Sequence, residues 1–371
     1  FPYGELHESA ARPPGYMLFI GAAYTILGAS PTRVTLLQTL IGPVVIVLVW
    51  LLARRLFDAR VAVVAAALAA VHPNLWQWEG RLYSEALALP LAVLLLLLVL
   101  QRQPTKRVLI GTGVVLGVSL LVRPTSVFLV PVILAAFWTA ANARTAIRST
   151  AAVLGVAVLC VAPWTIRNYA LTDSFIPLSL QDMAVAGTFN PMSAEDPDYP
   201  YAWRPWTERD QDIFGGVDTP NKLSEADLHE EMLRRAREYV EDHPEAIPEA
   251  FFWNGIVRTW DLRSSDLVLL EVGFEGRNEH VARAGMLLYW ALLPFAAVGV
   301  WRLRARRTIV VPVLLGAVAA SVVFTVAAAT RYRVPYEPVV VLLASVALVH
   351  LWDRVRGERA AEPDPELADV G

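Results

Sequence analysis

Four arginines stand in settings suited to holding an anion: Arg12 in Arg12-Pro13-Pro14, Arg123 in Arg123-Pro124, and Arg331 and Arg333 in Arg331-Tyr332-Arg333-Val334-Pro335. A planar guanidinium offers a fork that matches phosphate oxygens, and an adjacent proline fixes the local turn. The combination suits a phosphate that is gripped while it departs from carbon. Arg331 and Arg333 flank Tyr332, so an extended backbone would aim both toward one side. Arg81 and Arg167 are further cations near the ends of apolar runs. The competing role of each arginine is structural, either snorkelling to headgroups or pairing with Glu79, Glu85 or Glu337.

Other motifs fail on spacing. Gly111, Gly113 and Gly117 do not have the separation of a dinucleotide fingerprint and lie inside an apolar run, which favours close helix packing. His229-Glu230-Glu231 lacks a second histidine four residues after the first and reads as the wet face of a helix. There is no Walker loop and no Gly-Xaa-Ser-Xaa-Gly elbow. Cys160 is the single cysteine, which excludes an intrachain disulfide and a cysteine metal cluster. No cofactor is expected; a divalent metal stays open.

The elements that must position these residues are apolar. Of 371 residues, 56% are hydrophobic and 18% charged, with mean hydropathy +0.45, against about 25% charged in soluble domains. Apolar runs cover Val34 to Ala53, Val61 to Trp76, Ser84 to Leu100, Val108 to Val122, Ser126 to Ala141, Ile147 to Ile166, Arg283 to Trp301, Thr308 to Ala329 and Tyr336 to Trp352. This pattern predicts an all-α polytopic membrane protein of about nine spans. The shorter run from Gly15 to Ala29 is expected to be interfacial or re-entrant.

Charge divides the chain. Between Ala170 and Glu279 there are 23 acidic and 9 basic residues, a net of −14; the remainder carries 12 acidic and 23 basic, a net of +11. Connectors bearing Arg54, Arg55 and Arg60, then Arg102, Lys106 and Arg107, then Arg144 and Arg148, then Arg302, Arg304, Arg306 and Arg307, alternate with poorly basic ones. The positive-inside rule puts these four in the cytoplasm and the acidic segment outside. Arg12, Arg81, Arg123, Arg167, Arg331 and Arg333 then fall on the outer side, as exceptions that need an anion. The expected organisation is an outer-loop end at 1–14, a bundle at 15–168 with its interfacial helix at 15–29, and an extracytoplasmic domain of mixed structure at 169–280. Spans at 281–352 and a disordered cytoplasmic tail at 353–371 complete it. Within the outer domain, Ser224 and Asp227 signal a helix start and His243-Pro244 its end.

Several of these segments resemble the bacterial polytopic glycosyltransferases of the GT-C fold, the dolichyl-phosphate-mannose-protein mannosyltransferase and aminoarabinose transferase-like group (glycosyltransferase family 39-like). The resemblance rests on Ala11-Arg12-Pro13-Pro14-Gly15-Tyr16, Arg54-Arg55-Leu56-Phe57, Leu82-Tyr83-Ser84-Glu85, Pro163-Trp164-Thr165-Ile166-Arg167-Asn168-Tyr169 and Arg331-Tyr332-Arg333-Val334-Pro335, in that order. It implies inverting transfer of a sugar from a polyprenyl-phosphate donor to a lipid, glycan or protein acceptor on the outer face of a bacterial inner membrane. Membrane lipid is a further partner, and no nucleic acid is expected. It assigns donor phosphate binding to Arg331, Arg333, Arg12 and Arg123, and acceptor or lipid contact to Tyr16, Glu85, Arg167 and Asn168. The base lies after the family's first span, a segment expected upstream of Phe1, with Glu5 and Glu8 surviving from the same loop. The alternative class is a transporter or flippase for lipid-linked saccharides, which would carry ionisable residues within its spans and repeated halves.

Overall fold

The computed structural model describes residues 9–204, 224–262, 272–273, 275–326 and 330–357. Its principal helices are α1 (Pro14–Leu27), α2 (Pro31–Gln38), α3 (Ile41–Leu56), α4 (Ala59–Val71), α5 (Glu85–Val99), α6 (Lys106–Val122), α7 (Leu129–Ala140) and α8 (Ala143–Thr172). They continue as α9 (Glu225–Asp242), α10 (Glu279–Arg302), α11 (Arg307–Phe324) and α12 (Glu337–Arg356). Starts follow local chemistry. Asp58 accepts from the backbone N–H groups of Arg60 (2.8 Å) and Val61 (2.9 Å), Asn142 caps α8, Asn278 caps α10, and prolines open α1 and α2.

Every apolar run contains helix, but not nine full spans. Among the described residues, five segments are long and apolar enough to cross a membrane: Pro31–Leu56, Ala143–Thr172, Glu279–Arg302, Arg307–Phe324 and Arg331–Arg356. Ala59–Val71 has 13 residues, Glu85–Val99 15 and Lys106–Val122 17. At 1.5 Å per residue a 13-residue helix rises only about 20 Å. The cause is local in α4: Pro73 pushes His72 out of helical geometry and stops the helix. The expectation of a mixed outer domain is corrected as well. Among the described residues of 169–280 there are helices and turns and no strand.

The bundle is inside out relative to a soluble protein. Leu18, Val63, Val158, Leu159, Ile166 and Val322 expose more than half of their surface, as lipid-facing side chains would. α12 is the central helix, with Glu337 through Ser345 all buried. α6 lies tightly on α8. A Cβ at Gly113 would sit 2.8 Å from the Val153 carbonyl oxygen, and one at Gly117 would sit 3.1 Å from that of Ala157. The glycine run is therefore a packing surface.

Basic residues gather at one end. Arg55 reaches the carbonyls of Leu97, Leu100 and Gln101; Arg306 donates to Leu56 O (3.0 Å); Arg60 pairs with Asp353 (2.5 Å). Arg55 and Arg306 thereby cap the C-terminal ends of α5 and α3, and the contacts tie together three of the four basic connectors. The opposite end carries the remaining arginines. There, α9 packs with Ala186, Phe189, Tyr201, Ala246 and Ala250 as a separate apolar cluster.

Candidate functional site

Three elements converge at the end away from the basic connectors. α6 stops at Val122 because Pro124 drives Arg123 into extended geometry (φ −148°, ψ 113°). Glu85 opens α5, where a carboxylate faces the positive end of the helix dipole. Arg331 and Arg333 lie on the 3₁₀ turn Thr330–Tyr336, which precedes α12. Arg123 bonds directly to Glu85 and lies over the Tyr332 ring at 4.8 Å. Arg331 stands 3.8 Å from Glu85 and 3.4 Å from Glu275, with the Tyr83 and Tyr332 rings 5.6 and 5.1 Å from its guanidinium carbon. Arg277 extends the cluster, bonding Glu275 (2.5 Å) and Gln77 (3.1 Å) over the Trp78 ring.

Two arginines thus share the single carboxylate of Glu85 inside an aromatic frame. Glu85 is 2% exposed at its side chain, Arg123 10% and Arg331 28%. Arg331 is the member of the cluster open to an incoming anion. With Arg277 and Glu275 counted, three arginines face two carboxylates, and a phosphate would complete the charge balance.

Arg333 goes elsewhere. The extended approach that would aim both arginines to one side is replaced by a 3₁₀ turn, with about three residues per turn, so positions two apart diverge. Arg333 is fully buried. Its Nε donates to Glu337 Oε1 (2.9 Å), its NH1 donates to Thr259 O (3.0 Å), and its guanidinium lies 3.7 Å from the Tyr289 ring centre. Glu337 also meets His72 Nε2 (3.0 Å) and accepts from Asn74 Nδ2 (3.0 Å). The pairing follows the i,i+4 spacing of Arg333 and Glu337.

A π-helix over Phe251–Arg258 presents Thr259 to Arg333. Gly255 permits it, since a Cβ there would lie 2.5 Å from Ser321 O, and Asn254 Nδ2 bonds Tyr201 O (2.8 Å) and Thr325 O (2.7 Å). Asp261 beyond it has its carboxyl pushed up to about 6 by burial, which outweighs the opposing pull of Arg333. π-turns of this kind are over-represented at functional sites.

Arg12 is exposed, on the short strap that enters α1. Arg167 donates to Ser9 O (2.9 Å) and lies over Trp164, while Asn168 is fully buried and bonds Ile176 O (3.0 Å). Tyr16 donates to Gln38 Oε1 (2.6 Å). Glu5 and Glu8 lie outside the described residues. Glu79, in the connector that carries Trp78 and Tyr83, is 8% exposed and its carboxyl is pushed up to about 7 by burial. Gly42 makes room for it, since a Cβ there would fall 2.6 Å from Oε1. Among the described residues, no group of three His, Cys, Asp or Glu side chains is placed to hold a metal.

The structure therefore brings Arg123, Arg331 and Glu85 together and sends Arg333 into the core. Reading the residues alone missed Glu275, Arg277, His72 and Asn74. His72 carried a faint signal, a titratable residue directly before a helix-opening proline; Glu275 and Arg277 carried none beyond their charge.

Residues 11–166 match the family model described as dolichyl-phosphate-mannose-protein mannosyltransferase. The match covers 156 of the 371 residues. Among solved structures, apo ArnT from Cupriavidus metallidurans superposes with a TM-score of 0.56 at 17% identity, over 95% of this chain and 52% of that one. The same enzyme bound to undecaprenyl phosphate gives 0.53 at 16% identity, again over 95% and 52%. The Archaeoglobus fulgidus oligosaccharyltransferase tethered to an acceptor peptide gives 0.55 at 16% identity, over 97% of this chain and 43% of that one. The shared architecture is the GT-C fold of multi-pass membrane glycosyltransferases. The chain spans about half the length of the solved structures it resembles. Among curated proteins none matches the sequence.

Proposed function

We propose that this protein transfers a sugar, with inversion, from a polyprenyl-phosphate donor to an acceptor on the outer face of a bacterial inner membrane. Arg331, Arg123 and Arg12 hold the donor's phosphate. The observation that carries the reading is the convergence of Arg123 and Arg331 on one buried carboxylate, Glu85, between Tyr83 and Tyr332. That cluster sits at the end of the bundle opposite its basic connectors, which is the outer end by the positive-inside rule. The same fold in a relative bound to undecaprenyl phosphate supports a lipid phosphate as the anion.

The chemistry follows from charge. A lipid phosphate leaves when its developing negative charge is met by preorganised cations in a site of low dielectric. Arg331 supplies an open guanidinium, and Arg123, locked on Glu85, supplies a fixed one. Arg333 has a positioning role, holding the turn beneath Arg331 through Glu337 and Thr259. The acceptor's proton passes to a carboxylate of the first outer loop, in which Glu5 and Glu8 lie. Incubating the purified protein in liposomes with labelled polyprenyl-phosphate sugars tests the reading. Release of free polyprenyl phosphate with label passing to an acceptor is expected; intact donor with every sugar tried contradicts it.

A further inference from the structure

The strap that leads into α1 is fastened at both ends, and one fastener belongs to the outer helix α9. Glu225 is the first residue of that helix. Its Oε1 accepts from Ser9 Oγ (2.7 Å) and its Oε2 from the Ala10 backbone N–H (3.1 Å). Ser9 Oγ in turn accepts from the Ala11 N–H (3.0 Å). Arg167 donates to Ser9 O, and Leu180 N donates to Ala10 O (3.2 Å). The Ala10 side chain is fully buried against Ile176 and Leu180. The Ser9 carbonyl and both the N–H and the carbonyl of Ala10 are thus engaged by groups far away in sequence.

The second fastener is the start of α1. A Cβ at Gly15 would lie 2.9 Å from Leu121 O and 2.8 Å from a Val122 methyl, so only glycine lets α1 dock beside the residue that precedes Arg123. Tyr16 then bonds the buried Gln38. Ala10 and Pro14 are four steps apart along the chain, a reach of at most about 14 Å, and Pro13 and Pro14 have fixed φ. Arg12 is the exposed residue between the two fasteners. A cation on so short and constrained a segment loses little freedom on meeting an anion, and preorganisation of this kind raises affinity.

We infer that Glu225 is a positioning residue for donor binding: by gripping Ser9 and Ala10 from the outer helix, it holds the strap so that Arg12 is presented to the lipid phosphate. The assignment rests on the phosphate reading above and goes beyond it, because it makes the outer helix part of the binding machinery without touching the ligand. Glu225 is itself an anion, so direct contact with phosphate would be repulsive; its effect has to pass through the strap.

The test is a titration of the protein in nanodiscs with undecaprenyl phosphate, with melting followed in parallel. Glu225→Gln keeps the side-chain shape but presents an amide N–H₂ to a backbone N–H, and should weaken binding about tenfold. Ser9→Ala removes one of the bonds and should weaken it less. Glu225→Asp, which keeps the charge, should recover part of the loss. The decisive arm is coupling. In an Arg12→Ala background, Glu225→Gln should bring no further loss, whereas a merely structural glutamate would weaken both backgrounds equally. Unchanged affinity of folded Glu225→Gln or Ser9→Ala proteins, with Arg12→Ala weakened, overturns the positioning role. Unchanged affinity of Arg12→Ala instead removes Arg12 from the phosphate site.

Discussion

Replacing Arg333 by methionine separates a buried brace from a ligand contact. The residue is fully buried, donates to Glu337 at 2.9 Å and to Thr259 O at 3.0 Å, and stacks on Tyr289. Its loss leaves Glu337, with no exposed surface, sharing only His72 and Asn74. Removing one partner of a buried ion pair costs about 3–5 kcal/mol, because the other charge is left uncompensated. For a chain of this size that corresponds to roughly 5–10 °C in melting temperature. Arg333→Met should therefore melt lower by that amount, Glu337→Gln should do the same, and the Arg333→Met/Glu337→Gln double variant should regain most of the loss. Melting by intrinsic tryptophan fluorescence in nanodiscs reads all three. The protein that remains folded should bind undecaprenyl phosphate with near-parental affinity. A parental melting temperature for Arg333→Met, combined with a tenfold or greater loss of binding, would refute the brace and put Arg333 on the phosphate.

Three further outcomes follow from the same structure. Burial raises the Glu79 carboxyl from its usual range to about 7, so the folded protein holds that proton more tightly than the unfolded chain does. Its contribution to stability is full at acid pH and is lost as pH rises through 7; the parental protein should lose more melting temperature between pH 5.5 and 8 than Glu79→Gln does, and equal losses would contradict this. Gly117→Val would press a side chain into Cys160 and Ala157 on α8 and should cost about 1–3 kcal/mol, whereas Gly21→Val, at a position with open space, should be neutral; equal melting of the two would overturn the packing account of α6 on α8. In a Cys160→Ala background, Glu241→Cys should react with an impermeant maleimide on intact cells and Ala305→Cys should not, and the reverse labelling would invert the topology.

The helical, membrane-embedded character was legible in the apolar runs because burial against lipid leaves almost no polar choice along a span. Helix α9 was equally legible: Ser224 Oγ accepts from the Asp227 N–H (3.1 Å), as the spacing of those two residues requires. Helix lengths were less so. Pro73 shortens α4 although the apolar run continues to Trp76, since hydropathy does not register where a proline forbids helical geometry. The pairing of Arg123 with Glu85 and of Arg333 with Glu337 stood among the structural alternatives in the sequence. Which arginine faces outward did not, because it depends on the 3₁₀ turn over Thr330–Tyr336. Glu275 and Arg277 reach the site by tertiary folding alone, and no local pattern marks them.

The central claim is that the open Arg331 guanidinium, backed by Arg123, receives a polyprenyl phosphate. The direct measurement is the affinity of the nanodisc-embedded protein for undecaprenyl phosphate as parent, Arg331→Ala, Arg331→Lys and, as a control on the exposed face of the outer helix, Glu230→Gln. One charge-assisted hydrogen bond contributes about 1.5–3 kcal/mol, so Arg331→Ala should bind roughly ten- to a hundredfold more weakly. Arg331→Lys should fall between, keeping the charge without the fork, and Glu230→Gln should match the parent. Folded Arg331→Ala protein that binds undecaprenyl phosphate as tightly as the parent would contradict the account.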